Sequence, residues 1–310
     1  MGKRLAALVA AGALVAAAVA LLAGGCGRSP TYRKVQLSTV SSVPARPADS
    51  RLALRVAVAS VLSPRDSFTI YEGLTRYLQP RLGRPVVLVQ RSTYAEINDL
   101  MRSGGADLAF VCSGAYVVGA RDFGMELLVV PEIDGQSVYY SYLIVPATSP
   151  VRRLEDLKGR IFAFSDPLSN SGRLAPAYQL LLRTSELPET FFGRYIFTYS
   201  HDRSIEAVAA RLVDGAAVDS LVYEFFRESE PKRVEGTQVV EAWGPYGAPP
   251  VVVHPGLDRQ LREQLRQVLL GMHQDEEGRR FLAQLRIDRF VEADDALYDS
   301  VRTMATAIGL

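Results

Sequence analysis

One segment of this chain offers a clear opportunity for chemistry: Phe164-Ser165-Asp166-Pro167-Leu168-Ser169-Asn170-Ser171-Gly172. It joins a strand-like apolar run, Ile161 to Phe164, to a helix-like run, Leu174 to Leu182. A helix N-terminus leaves backbone N–H groups unpaired and carries partial positive charge. Ser169, Asn170 and Ser171 add side-chain donors there, and Gly172 lets a ligand approach the backbone. Such a place can cradle an anion such as phosphate. Pro176 lies about one turn in, where its missing N–H does little harm. Taken alone, the same residues also read as a Ser cap following a turn.

Magnitudes require more than one helix end. Desolvating an anion costs several kcal/mol. A hydrogen bond to a charged group returns about 1.5–3 kcal/mol, and a helix terminus about 0.3–1. Donors from several segments must therefore converge. Tyr94 follows a strand-like run, Ser113 ends one, Tyr139 lies in a crossover, and His201 follows Tyr195–Tyr199. All four sit at expected strand ends, where open α/β sheets bind ligands. His201-Asp202 also invites a hydrolase reading, but no Gly-x-Ser-x-Gly elbow accompanies it. Asp202 reads more simply as an N-cap for a helix from Ile205. No phosphate-binding loop of the Gly-x-x-x-x-Gly-Lys type and no dinucleotide fingerprint occurs. With three His and two Cys, neither a His-rich nor a Cys-based metal site is expected, and no cofactor is implied.

The elements that must position these groups alternate. Strand patterns at Leu52–Ala59, Val86–Val89 (short and buried), Leu108–Val111, Leu127–Val130 and Tyr139–Val145 bracket helical spacing at Tyr71/Leu74/Leu78/Leu82 and from Ala95. The pattern repeats with strands at Ile161–Phe164, Tyr195–Tyr199, Ala216–Val218, Val239–Val240 and Val251–Val253. Helices are expected at Leu174–Leu182, Ile205–Leu212 and Leu221–Phe226, and over most of the chain after Leu257. This predicts an α/β fold with largely parallel sheets. The 310 residues suit two lobes, and 48% hydrophobic against 22% charged residues allows a large core. With 35 Lys plus Arg against 34 Asp plus Glu, the chain is not built to coat nucleic acid.

The N-terminus reads as an export signal. Lys3 and Arg4 precede an apolar run, Leu5 to Leu22, then Ala23-Gly24-Gly25-Cys26. A Cys after small residues resembles the lipobox of bacterial lipoproteins, with cleavage before Cys26 and a diacylglycerol on its sulfur. The alternative is a retained membrane helix. Cleavage removes two positive charges and no acid, taking the net charge from +1 to −1. Residues 26–50 then form a lipidated tether. With Cys26 acylated, Cys112 lacks a disulfide partner and reads as core.

Taken in order, Ser92-Thr93-Tyr94-Ala95-Glu96-Ile97, Gly105-Ala106-Asp107-Leu108-Ala109, Tyr139-Tyr140-Ser141-Tyr142-Leu143-Ile144-Val145, Leu154-Glu155-Asp156-Leu157-Lys158-Gly159, the Asp166–Gly172 segment and Ser200-His201-Asp202 resemble the phosphonate-binding family of ABC-transporter solute-binding proteins. That family includes phosphite and phosphate binders. The resemblance covers about residues 53–290. It implies a two-lobed type II periplasmic binding protein with its ligand cleft between the lobes. Lobe 1 would be 51–143 with 246–310 and lobe 2 would be 144–245, with crossings near Tyr142–Pro146 and Trp243–Pro250. It further implies a small anionic ligand (phosphonate, phosphite or phosphate), an ABC permease as partner, membrane attachment through the lipid, and no chemistry. A sensory role before a membrane receptor is the alternative. The family's oxyanion turn matches Ser169, Asn170, Ser171 and Gly172, with Asn170 in place of Thr. Its tyrosines match Tyr94 and Tyr139, and its His matches His201. Two positions depart from amine-binding members. The return segment Tyr246-Gly247-Ala248-Pro249-Pro250 holds no acid. The other acid falls near Asp219, which either contacts the ligand or merely ends a strand. Tyr223 is a weaker candidate.

Overall fold

The strand-forming runs pair into two sheets in the computed structural model, which describes residues 53–59, 61 and 64–310. The first sheet holds β1 (Leu54–Val58), β2 (Val86–Gln90), β3 (Leu108–Phe110), β4 (Glu126–Glu132), β10 (Val251–Val253) and β11 (Arg289–Val291), in the order β11-β4-β10-β3-β1-β2. The second holds β5 (Val138–Pro146), β6 (Ile161–Phe164), β7 (Arg194–Phe197), β8 (Gly215–Asp219) and β9 (Thr237–Gly247), in the order β7-β6-β8-β5-β9. Helices α1 (Pro64–Leu82), α2 (Tyr94–Arg102) and α3 (Ser113–Phe123) follow strands of the first sheet; α4 (Ala175–Thr184), α5 (Pro188–Phe191), α6 (His201–Ala209) and α7 (Ser220–Ser229) belong to the second. Helices α8 (Arg259–Leu270), α9 (Glu276–Gln284) and α10 (Asp299–Ala307) close the chain. The two-lobed α/β architecture is the expected one.

The sheets are mixed rather than largely parallel. β1 runs parallel to β2 and β3, and β6 parallel to β7 and β8. β5 pairs antiparallel with β8 and β9, and β10 antiparallel with β3 and β4. One crossing leaves the first sheet and the other returns, so the two must run in opposite directions. β10 accordingly enters the first sheet against both of its neighbours.

The crossings also sit elsewhere than expected. Val138–Pro146 pairs with β9 along its length, and Ser141–Ile144 with β8, so the sheet changes at 133–137 rather than near Tyr142. The return falls at 248–250, after β9 has carried Trp243–Gly247 in the second sheet. The crossings touch where Ala248 N–H donates to the Ser137 carbonyl at 3.0 Å.

The periodicity of α1 buries Leu74, Leu78 and Leu82 as expected. Those residues join Val56, Val251, Leu265 and Phe290 in a core on one side of the first sheet. Ile144, Ile205, Val208, Val218 and Phe226 form the second lobe's counterpart. A third cluster runs from Tyr94 and Cys112 through Tyr139 to Phe164, Trp243 and Tyr298. Each fully buried large apolar side chain contributes about 1.5–3 kcal/mol, and in this cluster both lobes supply them. The C-terminal segment seals it: Tyr298 donates to the Ala248 carbonyl at 2.7 Å, and its ring meets Tyr116 edge-on. β2 is a half-exposed edge strand, with Val87 46% exposed, not a buried one. Among the described residues no helix is long and apolar enough to cross a membrane; the expected signal, Cys26 and the tether lie outside those residues.

Candidate ligand-binding site

The structure brings the sequence-selected residues to the junction of the lobes. Ser169 caps the turn Asn170–Leu174, a π-helical turn that runs into α4, and its Oγ accepts from Gly172 N–H at 3.0 Å. Ser165 passes so close that a Cβ on Gly172 would fall 1.8 Å from Ser165 Oγ. Glycine is thus required here for packing as well as for approach. Asn170 gives one amide hydrogen to Tyr139 Oη at 3.0 Å, which orients that phenol. Ser113 Oγ itself donates to the Gly247 carbonyl at 2.7 Å, fastening α3 to the return strand.

Tyr94 stands at the first position of α2, behind a Thr93–Glu96 capping box. Its N–H donates to Asp166 Oδ2 at 3.1 Å, while Asp166 Oδ1 accepts from Leu168 N–H at 2.8 Å. The two lobes therefore meet through a carboxylate on a helix N-terminus, a favourable pairing of charge and dipole. Burial nevertheless pushes the Asp166 carboxyl above its ordinary pKa, against the pull of those two donors. Two further contacts join the lobes. Asn170 N–H points at Cys112 Sγ at 3.3 Å, and His201 N–H donates to the Val61 carbonyl at 3.1 Å.

His201 begins α6, so Ser200 occupies the cap position that the sequence suggested for Asp202. Asp202 is instead buried, 3.4 Å from the Arg233 guanidinium. His201 Nδ1 accepts from Asp219 N–H at 3.1 Å. Burial lowers its pKa to about 4, outweighing the neighbouring Asp202. The ring is then neutral near pH 7, and its proton sits on Nε2 as a donor. Asp219 caps α7, with Oδ1 accepting from Leu221 N–H at 2.8 Å; burial raises its pKa to about 7. It thus ends a strand and caps a helix; burial pushes the Tyr94 and Tyr139 phenols well above their ordinary pKa, and the neighbouring Cys112 and Asp219 add to that. Tyr223 is not brought here: its hydroxyl pairs with Thr237 Oγ1 at 3.0 Å in the second lobe's own core.

Most telling are the polar atoms without partners. Among the described residues, the buried Oη of Tyr94, Oγ of Ser165, Ser171 and Ser200, and Oδ1 of Asn170 have none. Leaving a buried hydroxyl unpaired costs about 1–3 kcal/mol, and native interiors rarely tolerate several. The serine hydroxyls belong to the cradle loop and the strand ends beside it, and Tyr94 is tied to the same loop through Asp166, where the sequence expected an oxyanion; Asn170 Oδ1 is an acceptor and offers an anion nothing. Every donor named is neutral, so the site offers dipoles in a dry setting where each hydrogen bond is strong.

Sequence reasoning missed two participants. Cys112 is buried, as expected of a core residue, with its thiol pKa pushed up to about 11 by burial. Its sulfur nonetheless sits on the cradle, 4.0 Å from Ser169 Oγ. The signal available was its place immediately before Ser113. Asp166, at the head of the Asp166–Gly172 segment, accepts from Tyr94 N–H across the lobes, a contact its local sequence does not signal.

The buried pair His201 and Asp219 predicts a pH signature. His201 has a folded pKa below its ordinary 6.5, so its stabilising contribution is present above about pH 6.5 and is lost as pH falls toward 4. The amount is at most about 3 kcal/mol. Asp219 has the opposite sign: its folded pKa is above 3.8, so its contribution is present below about pH 4 and is lost as pH rises through 7. Urea denaturation between pH 4 and 8 should show the stability gap between wild type and His201→Asn narrowing toward pH 4. Asp219→Asn should gain on wild type toward pH 7. Differences that do not change with pH contradict these assignments.

The family model for periplasmic substrate-binding proteins of ABC phosphonate transporters matches residues 56–298. The chain belongs to this family. Its description names a substrate-binding component, not an enzyme, which removes the hydrolase reading of His201. The chain is similar to the phosphate-import protein PhnD of Mycolicibacterium smegmatis, 32% identical over 68% of this chain and 65% of that protein's length. The fold matches a binding protein of an ABC phosphonate transporter from Pseudomonas aeruginosa, with TM-score 0.77, 24% identity, and 81% and 85% of the two chains covered. It also matches PhnD1 of Prochlorococcus marinus in complex with methylphosphonate, with TM-score 0.75, 20% identity, and coverage of 83% and 98%. These likenesses to solved structures show a fold shared across the family.

Proposed function

We propose that this protein captures a small phosphorus oxyanion or phosphonate between its lobes and delivers it to an ABC permease. The carrying observation is the cluster of partnerless buried hydroxyls beside the Ser169–Gly172 turn. Tyr94, Ser171 and His201 Nε2 donate to the anion, joined by the Ser171 backbone N–H. Ser113, Tyr139, Ser169 and Asn170 hold these donors in place, and Asp219 borders the site. Lobe 1 comprises 53–132 and 251–291, lobe 2 comprises 138–247, and the C-terminal segment packs on both. The mycobacterial relative imports phosphate and the Prochlorococcus protein holds methylphosphonate, so both ligand types belong in the first screen.

A thermal-shift panel of phosphate, phosphite, methylphosphonate, sulfate and sulfonates tests this. A ligand at 100 times its Kd adds about 2.7 kcal/mol of stability, which gives a clear rise in Tm with a phosphorus anion. No shift with any phosphorus anion overturns the reading.

Membrane attachment through Cys26 completes the proposal. It rests on the basic, apolar and small-residue pattern before that Cys. Cys26→Ser should abolish lipid labelling and release the protein from membranes. A variant that stays bound with residues 1–25 intact identifies a retained helix instead.

A further inference from the structure

Asp166 holds two elements of the site at once. Its Oδ1 accepts from Leu168 N–H at 2.8 Å, and its backbone carbonyl accepts from Ser169 N–H at 3.0 Å. These bonds fold the loop that leads into the Ser169–Gly172 turn, as an aspartate does in an Asx turn. Its other oxygen, Oδ2, accepts from Tyr94 N–H at 3.1 Å, in the first lobe. Glu96 N–H is already taken by Thr93 Oγ1 at 3.2 Å; Tyr94 N–H, with no carbonyl of its own helix to meet, is taken by Asp166. Both Asp166 and Tyr94 are buried. Burying a carboxylate is costly unless its oxygens are hydrogen-bonded, and separating the lobes would remove the Tyr94 N–H from Asp166 but not the Leu168 N–H. At the far end of the same tyrosine, Oη is buried and has no partner among the described residues.

We propose that Asp166 is a positioning residue for ligand capture: it docks the first turn of α2 against the cradle loop and so sets the Tyr94 hydroxyl on the anion when the lobes are closed. This rests on the reading of Tyr94 and the Ser169–Gly172 turn as anion donors, and adds what brings the first lobe's donor to the second lobe's turn. Asp166 does not itself contact the anion, because an ionised carboxylate has no hydrogen to donate and both of its oxygens already accept backbone N–H bonds. Nor is it only a loop-forming residue, since one of those two bonds ends in the other lobe. The loop bond shapes the turn, and the interlobe bond carries the tyrosine to it.

A double-mutant cycle with Tyr94→Phe tests this, read by isothermal titration with methylphosphonate and with inorganic phosphate. Asp166→Asn keeps the shape of the side chain but has one acceptor oxygen for two N–H groups. Asp166→Ser keeps a short hydroxyl for the Leu168 N–H, as in an ST turn, and has nothing left for Tyr94; it replaces the Asn variant if that one does not fold. Losing a hydrogen bond to a charged group is worth about ten- to a hundredfold in affinity. Either substitution should therefore weaken binding by about tenfold or more when Tyr94 is present. In the Tyr94→Phe background the same substitution should cost about fivefold less or smaller still, because the hydroxyl it positions is already gone. A residue that merely shapes the loop would cost the same in both backgrounds. Equal losses in the two backgrounds, or affinity within about threefold of wild type for the Asp166 variants, overturn the assignment and leave the anion reading standing. If the wild-type protein binds neither anion, the anion reading and this assignment fall together.

Discussion

Tyr94→Phe combined with Ser171→Ala will weaken methylphosphonate binding by about two to four orders of magnitude, from roughly 1.5–3 kcal/mol per charged hydrogen bond lost. The same double variant will be as stable as wild type without ligand, or slightly more so. The opposite signs follow from one observation: both hydroxyls are buried, and neither has a partner among the described residues. Removing an unpaired buried hydroxyl relieves desolvation and breaks nothing. An ordinary core hydrogen bond behaves the other way, since its loss destabilises the protein and leaves ligands unaffected. Titration calorimetry and urea denaturation on the same samples separate the cases. Affinity within threefold of wild type, or a large loss of stability, contradicts the assignment.

A single methyl group at the lobe junction should act almost as strongly. A Cβ on Gly114, in the first turn of α3, would lie 2.3 Å from the Leu168 carbonyl oxygen and 3.0 Å from Asn170 N. Both are backbone atoms of the cradle loop, so no side chain can swing aside. Relieving such overpacking costs about 1–3 kcal/mol, which predicts a loss of about ten- to a hundredfold in affinity for Gly114→Ala. The clash lies between the lobes and not within either core, so each lobe should still fold. Small-angle scattering should show the variant compacting less than wild type on adding methylphosphonate. Wild-type affinity with full compaction overturns the close approach of α3 to the cradle loop.

The sequence was most legible where local pattern and chemistry coincide. The Ser169–Gly172 turn announced itself through donors placed between a strand pattern and a helix pattern, and the structure puts a cap and a helical turn there. Long-range arrangements were less legible. Helix α3 escaped notice because Gly114, Gly119 and the Val117-Val118 pair weaken helix propensity. Its first seven residues are also buried, so no amphipathic stripe marks it. The crossings were misplaced because β5 and β9 are longer than their apolar runs, and only pairing reveals which sheet owns Tyr139–Ser141. Asp166 and Cys112 gain their roles from partners 72 and 58 residues away. No local pattern could report those contacts.

The most direct test of the central claim is a crystal structure of the protein with methylphosphonate bound. Phosphonate oxygens should lie within hydrogen-bond distance of Tyr94 Oη, Ser171 Oγ and His201 Nε2, with a further contact to the Ser171 backbone N–H. Methylphosphonate bound elsewhere, with those hydroxyls still unpaired, would contradict it.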